Sequence, residues 1–283
     1  MTLPTNREQK GSLSPAEKIG FTAFLLAVLL LFFDPWLATL PLFLFLILCL
    51  AAPFFPQVGF FLPIISRSVT GSKGVALTFD DGPSPSSTPI LLELLARYQL
   101  TATFFVVGEK AARHPDLIAD ILTHGHSIGN HSWQHDNLLM LRSRKRLQQD
   151  IHQTQEVLKQ SGIQALVFRP PAGISNSRLR QVLLDENLVT VTFSCRIFDQ
   201  GNKKITNLAQ RILQKLKEGD ILLLHDIAPK KEAMATYWKN ELNILFSALQ
   251  QGSYDVQPLD RLIGHPVMIC KKQRALNKTS NLF

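Results

Sequence analysis

Residues 74–108 read GVALTFDDGPSPSSTPILLELLARYQLTATFFVVG, and their texture changes twice. GVALTF (74–79) is a short apolar, β-rich run. STPILLELLARYQ (87–99) carries apolar residues at helical spacing. TATFFVVG (101–108) returns to the first texture. Strand, helix and strand in direct succession form a βα unit, which makes the two strands parallel. The alternation continues down the chain through LVFRPP (166–171), SRLRQVLLDEN (177–187), LVTVTFSC (188–195), ITNLAQRILQKLKEG (205–219), DILLLHD (220–226) and a helix around Glu232–Gln250. The strand runs are almost wholly apolar, as expected where helices cover the outer face of a parallel sheet. This repetition predicts one α/β domain over 73–265, built as a (β/α) barrel or an incomplete one.

The remainder of the chain has a different character. Residues 1–18 are polar and read as a tail. Ile19–Phe33 and Trp36–Phe55 are apolar runs broken at Asp34-Pro35, and neither has a polar face. Together, 19–55 predict one or two transmembrane helices, the second run having the length a bilayer requires. A cleaved signal peptide fits less well, because the hydrophobic stretch continues past the break. With two spans the catalytic domain shares a side with Arg7, Lys10 and Lys18, which favours the cytoplasm; with one span it faces outward. Residues 56–72 read as an interfacial linker, in which Val58–Ile65 lies at the interface or packs on the domain.

The net charge is +8 over 283 residues, and Lys271, Lys272, Arg274 and Lys278 of the 266–283 tail add four cations with no acid. Such a tail suits anionic membrane lipid or solvent. No basic stripe interleaved with aromatics occurs in the domain, which argues against nucleic acid. Three cysteines, Cys49, Cys195 and Cys270, make no disulfide framework.

In a parallel barrel, chemistry collects at the carboxyl ends of the strands. Five strand ends here deliver polar residues to one rim: Asp80-Asp81-Gly82-Pro83, His131-Ser132-Trp133-Gln134-His135, Arg169-Pro170-Pro171-Ala172-Gly173, Arg196 with Asp199, and His225-Asp226. His131 and His135 are four apart, so a helical turn would set both imidazoles on one face. Two imidazoles and one carboxylate suit zinc and leave a position for water. Of two adjacent carboxylates brought to the rim by a turn, one can bind metal while the other acts as a base.

Taken in order, Thr78–Pro83, His131–His135, Arg169–Gly173 and Leu222–His225 resemble the motifs of the polysaccharide deacetylases, the carbohydrate esterases of NodB-homology type. The resemblance covers about residues 72–265. It implies a distorted (β/α) barrel, a divalent metal ion, usually Zn2+, and hydrolysis of N-acetyl, sometimes O-acetyl, groups on sugars. By the same resemblance Asp81, His131 and His135 are the metal ligands and Asp80 is the general base. Arg169 holds the Asp80 carboxylate, His225 is the general acid, Asp199 orients His225, and the backbone N–H at Ala172 receives the oxyanion. Ala172 stands where many members carry Tyr, and Asp199 is followed by Gln200 where Trp is usual. Arg196 occupies a place where an acid is common, and either meets an anionic group of the substrate or pairs with a neighbouring acid.

The chain further resembles a membrane-anchored bacterial branch, which implies the inner membrane as its location. The expected partners are an N-acetylated amino-sugar glycan or a lipid-linked sugar, together with membrane lipid. Against this stands a catalytically silent glycan-binding or scaffold protein that keeps the fold. The presence of every ligand, the acid and the base favours the enzyme. Trp133 is expected to pack rather than to stack on sugar, His126 to be a strand or turn residue, and Asp226 to support the site from behind or form a turn rather than belong to it.

Overall fold

The computed structural model describes residues 12–270 except Pro56, Gln200 and Ser253. Two helices come first, α1 (Pro15–Leu31) and α2 (Pro35–Ala51). Ser14 and Glu17 cap α1 reciprocally, and the Asp34 carboxylate accepts the Trp36 N–H at the start of α2. A Cβ on Gly20 would meet the Phe45 ring at 2.7 Å, so the helices lie against each other as a hairpin. Phe24, Leu29, Phe43 and Leu46 are among the side chains left exposed. Pro35–Phe54 is long and apolar enough to cross a membrane, with 20 residues and a mean hydropathy of 2.4. Residues 1–11 of the expected polar tail lie outside the described residues.

The strands are β1 (Ile64–Ile65), β2 (Ala76–Gly82), β3 (Ala102–Val106), β4 (Ser127–Asn130), β5 (Ile163–Ala165), β6 (Val167–Phe168), β7 (Val189–Val191), β8 (Cys195–Arg196), β9 (Ile221–His225) and β10 (Met268–Cys270). Eight of them form one sheet in the order β1-β7-β6-β4-β3-β2-β9-β8, with every neighbouring pair parallel. No ladder joins β1 to β8 among the described residues, so the barrel is curled but open. Between and after the strands lie α3 (Thr88–Arg97), α4 (Gly108–Arg113), α5 (Pro115–Thr123), α6 (Arg144–Gln160), α7 (Ser177–Asp185), α8 (Leu208–Lys215), α9 (Glu232–Gln251) and α10 (Leu259–Ile263).

Two segments expected as linker and tail also contribute strands. β1 falls within 56–72, and Phe60, Phe61 and Leu62 just before it are buried in a cluster with Leu179, Val182 and Leu183 of α7. β10 falls within 266–283 and pairs antiparallel with β5, while residues 271–283 lie outside the described residues. Cys195 is buried on β8, as expected of a small apolar residue.

The period of two along each strand divides the core into layers. Leu77 and Phe79 of β2 and Phe104 of β3 pack outward against Leu91, Leu94, Leu95 and Phe246 of the helices. Phe105, Val167, Val191 and Leu223 point into the barrel, where Leu259, Leu262 and Ile263 of α10 join them. Thr78 and Asp80 alternate with Leu77 and Phe79, so they share the interior with Phe105. That alternation aims the first of the two adjacent carboxylates into the barrel.

Candidate active site

At the end of β2 the register against β3 shifts between Asp80 and Gly82, and Asp81 takes a φ of 72°. This bulge turns Asp81 to the rim beside Asp80, where a regular strand would send the two to opposite faces. Gly82 follows because nothing larger fits: a Cβ there would lie 2.1 Å from Asp226 Oδ2. Asp226 is fully buried, accepts hydrogen bonds from the Ser87 and Thr88 hydroxyls at 2.6 Å each, and donates its N–H to the Asp80 carbonyl at 2.7 Å. Burial raises its carboxyl to about 6 against those two hydrogen bonds. Asp226 thus belongs to the frame that shapes the Asp80–Pro83 turn, in the supporting place its position after His225 allowed.

The helical turn expected at His131–His135 is absent. Ser132 and His135 have φ of 70° and 54°, and the segment is an irregular loop. Asn130 Oδ1 accepts the Ser132 N–H at 2.9 Å and Ser132 Oγ accepts the His135 N–H at 3.1 Å; these bonds bend the chain where a helix would have continued. The loop still brings the imidazoles together, with ring centroids 4.9 Å apart. Trp133 is half-buried beside Gly108, and His126 is buried against Phe104. Burial takes the His126 imidazole down to about 4, and the charge of His124 acts in the same direction.

His135 Nε2 lies 3.0 Å and His131 Nε2 3.5 Å from Asp81 Oδ1. One ligand atom from each of the three falls within 4.8 Å of the others. Asp81 Oδ1 is buried and has no hydrogen-bond partner, as suits an oxygen reserved for a cation. His131 Nδ1 lies 2.7 Å from the Arg169 carbonyl, which only accepts, so Nδ1 carries the hydrogen and Nε2 presents its lone pair to the cluster. Burial pushes the Asp81 carboxyl up, but the imidazoles of His131, His135 and His225 beside it outweigh that and hold the carboxyl well below the usual range. Burial pulls His131 down, and Asp80 and Asp81 more than reverse that. Burial and the His131 charge lower His135 despite the two carboxylates. The pocket attracts positive charge, and its donors fit a divalent cation of the zinc type.

Arg169 lies entirely inside the barrel. Its Nη1 donates to Asp80 Oδ1 at 2.6 Å and Thr78 Oγ1 at 2.8 Å, and its Nη2 donates to the Thr192 carbonyl at 2.8 Å. The guanidinium carbon sits 3.9 Å from the centroid of the Phe105 ring. These contacts hold one Asp80 oxygen and leave Oδ2 facing the cluster, 3.7 Å from His131 Nε2.

His225 ends β9 and is the register partner of Asp80 on β2. Its Nδ1 lies 3.4 Å from Asp199 Oδ1, at ion-pair rather than hydrogen-bond geometry, and Asp199 Oδ1 accepts the Gly201 N–H at 3.1 Å. Burial lowers the His225 imidazole, and Asp199 together with Asp81 and Asp80 more than restores it, so the net shift is upward. Burial raises the Asp199 carboxyl while His225 carries it below its ordinary value. Asn202, which the sequence did not single out, donates to the carbonyls of His225 and Ile227 and latches the 201–203 segment to β9. Ala172 has a φ of 56° at the rim after β6. Asp80, Asp81, His131, His135, Ala172 and His225 all line one cleft of about 870 Å³.

The residues named from the sequence thus converge on one cleft, with Arg169 and Asp199 directly behind its lining. Residues 67–191 match the family described as Polysaccharide deacetylase. The chain is 31% identical over 210 residues to the peptidoglycan-N-acetylglucosamine deacetylase PgdA of Listeria monocytogenes, covering 74% of this chain and 43% of that protein. It therefore spans less than half the length of that relative. It is 32% identical over 205 residues to the chitooligosaccharide deacetylase of Azorhizobium caulinodans, covering 69% of this chain and 96% of that one. The structure of peptidoglycan deacetylase PdaC from Bacillus subtilis superposes with a TM-score of 0.58 at 28% identity, covering 75% of this chain and 98% of that one. With a relative matched along nearly its whole length and a superposable solved structure, the chain belongs to the polysaccharide deacetylase family.

Proposed function

We propose that the protein is a divalent-metal-dependent hydrolase that removes N-acetyl groups from an amino-sugar glycan or lipid-linked sugar. The observation that carries this is the Asp81–His131–His135 cluster beside Asp80, itself held by Arg169, with a paired His225–Asp199 on the neighbouring strand. Asp81, His131 and His135 would hold the cation. When bound, zinc or a similar ion polarises the acetyl carbonyl and makes water acidic enough to ionise near neutral pH.

The protein's own groups do the rest. Asp80 takes a proton from the attacking water through Oδ2, while Arg169 fixes Oδ1 so that the base is aimed before substrate arrives. The Ala172 N–H donates to the oxygen that becomes negative as the carbonyl carbon turns tetrahedral. His225 gives its proton to the amine nitrogen as the C–N bond breaks, and acetate and a free amine result. Asp199 keeps His225 oriented and protonated. A silent glycan-binding protein would not need a base and an acid each held by its own buried partner.

The hairpin of α1 and α2 serves in this reading as an anchor in the inner membrane. Pro35–Phe54 has 20 residues, about 30 Å at 1.5 Å per residue, which matches a hydrocarbon core, while α1 is shorter and starts with the charged Glu17 and Lys18. The hairpin's two ends return to the catalytic domain, where Arg180 of α7 meets Glu17 at 2.9 Å.

Metal analysis tests the assignment. The full chain purified in detergent is expected to hold about one zinc-type ion, and His131→Ala and His135→Ala to lose it, because each removes one of three ligands. Full occupancy in both variants would overturn the ligand set.

A further inference from the structure

The cleft contains a second chemical feature that N-acetyl hydrolysis alone does not use. Arg196, Lys203, Lys230 and Lys231 all line it, on the side of β8 and β9. The lining holds no carboxylates besides Asp80 and Asp81, and both of those are engaged with Arg169 and the histidines. Among the described residues none of the four cations is in an ion pair, and Arg196 rests 5.1 Å from the centroid of Phe193. The alternative raised by the sequence, Arg196 bound to a neighbouring acid, is therefore not what the structure has. Arg196 is in register with Leu223, two residues before His225. Asn202 ties the loop carrying Lys203 to the segment leading to Lys230 and Lys231. The cations are thus collected beside the proposed acid rather than scattered over the surface.

An apolar feature borders the same cleft. The loop that follows His135 contributes Asn137 to the lining and continues into Leu138–Leu141. Leu139 and Met140 are buried in a cluster with Ala16 of α1 and partly buried Phe45 and Cys49 of α2, while Leu138 and Leu141 are 55% and 73% exposed. Phe198, in the lining, is 70% exposed. Arg178 donates to the Met140 carbonyl at 2.9 Å, which binds this loop to the helix that meets Glu17. The mouth of the cleft and the base of the hairpin are therefore built from one continuous packing unit.

We infer that the cleft binds an amino sugar bearing a phosphate next to the N-acetylated ring, presented by a membrane-embedded lipid carrier. The inference rests on the deacetylase reading and names its substrate class. Several unpaired cations from separate segments match the tetrahedral array of oxygens on a phosphate, which accepts from several directions at once, better than the planar pair of a single carboxylate. Exposed Leu138, Leu141 and Phe198 beside a membrane hairpin place apolar side chains where a lipid-bound substrate enters.

The test uses the full chain, loaded with zinc, in lipid nanodiscs. Acetate release is compared for a neutral N-acetylglucosamine oligomer, a soluble N-acetylhexosamine 1-phosphate, a carboxylate-bearing N-acetylated sugar, and a polyprenyl-phosphate-linked N-acetylhexosamine. Binding of the soluble sugar phosphate is measured by calorimetry in parallel. The lipid-linked sugar is expected to have the highest kcat/KM and the soluble phosphate to exceed the neutral oligomer. In the pairs Arg196→Gln/Lys203→Gln and Lys230→Gln/Lys231→Gln, the ratio of kcat/KM for phosphorylated over neutral substrate should fall at least about tenfold, with weaker calorimetric binding. These exposed, unpaired side chains should leave the melting temperature unchanged. Equal or better turnover of the neutral oligomer, with a ratio the variants do not move, overturns the phosphate subsite and leaves the deacetylase reading standing. A preference for the carboxylate sugar replaces phosphate by carboxylate and overturns the inference, and equal use of soluble and lipid-linked phosphates overturns the membrane source. If no substrate releases acetate, the deacetylase reading fails, and calorimetric binding that the variants abolish still decides the phosphate subsite.

Discussion

Asp80 and Asp81 are adjacent in sequence and chemically identical, yet their surroundings separate them. Asp80 meets a buried guanidinium, and Asp81 meets two imidazoles with an oxygen left unpaired. Asp81→Asn is accordingly expected to lose metal, since an amide is a poorer ligand than a carboxylate. Asp80→Asn should keep metal and lower kcat by about 10²–10⁴-fold, the scale of a lost acid–base group. Metal content and turnover measured on the same samples check both; the opposite pattern reverses the two roles. His225 gives a pH prediction. Asp199, with Asp81 and Asp80, outweighs burial and raises His225, so a proton on this proposed acid is retained to higher pH. Removing that charge in Asp199→Asn should shift the basic limb of the kcat profile toward lower pH. A limb that stays in place or moves upward would show that Asp199 does not act on the group that titrates there.

At the scale of elements, the central one is the bulged end of β2. Asp226 braces it by holding Ser87 and Thr88 and by occupying the space beside Gly82. Asp226→Ala leaves two buried hydroxyls without their acceptor and should cost about 1–3 kcal/mol of stability. Gly82→Ala should also destabilise, because its Cβ would enter the Asp226 carboxylate. If that clash is the cause, the double variant is less destabilised than the sum of the singles, a coupling that thermal melts in a double-mutant cycle read directly. These details mark where sequence reading ends. The β2–α3–β3 unit and the helix at Glu232 were legible because long apolar runs carry a clear period. β1 and β8, two residues each, carry none, and β10 has three. The spacing of His131 and His135 fitted a helical turn, but local hydrogen bonds from Asn130 and Ser132 form a loop instead. Likewise, Asp-Asp-Gly-Pro announced a turn without revealing the bulge that makes two neighbouring carboxylates converge. Asp226 and Asn202 act only through contacts distant in sequence, which spacing cannot show.

Over the whole molecule, the domain does not begin where the hydropathy pattern ends. Phe60–Leu62 are buried against α7, and β1 extends the sheet beside β7. A chain starting at Gln57 is therefore expected to be soluble and folded. One starting at Arg67 exposes the apolar face of α7 and should melt lower or aggregate; equal stability of the two would place the boundary after β1. The hairpin brings both of its ends to the domain, so a reporter fused to the C-terminus should report the side on which Arg7, Lys10 and Lys18 lie, the cytoplasmic one. A periplasmic signal would mean a single span. Fold, cation and chemistry meet in the release of acetate. Acetate release by the full chain from neutral and phosphorylated N-acetylhexosamine substrates is followed with metal, after chelation and after zinc is restored. The account predicts release that stops with the chelator, returns with zinc, and stays about 10²–10⁴-fold slower in Asp80→Asn. Release that persists without metal, or that Asp80→Asn leaves untouched, would contradict it.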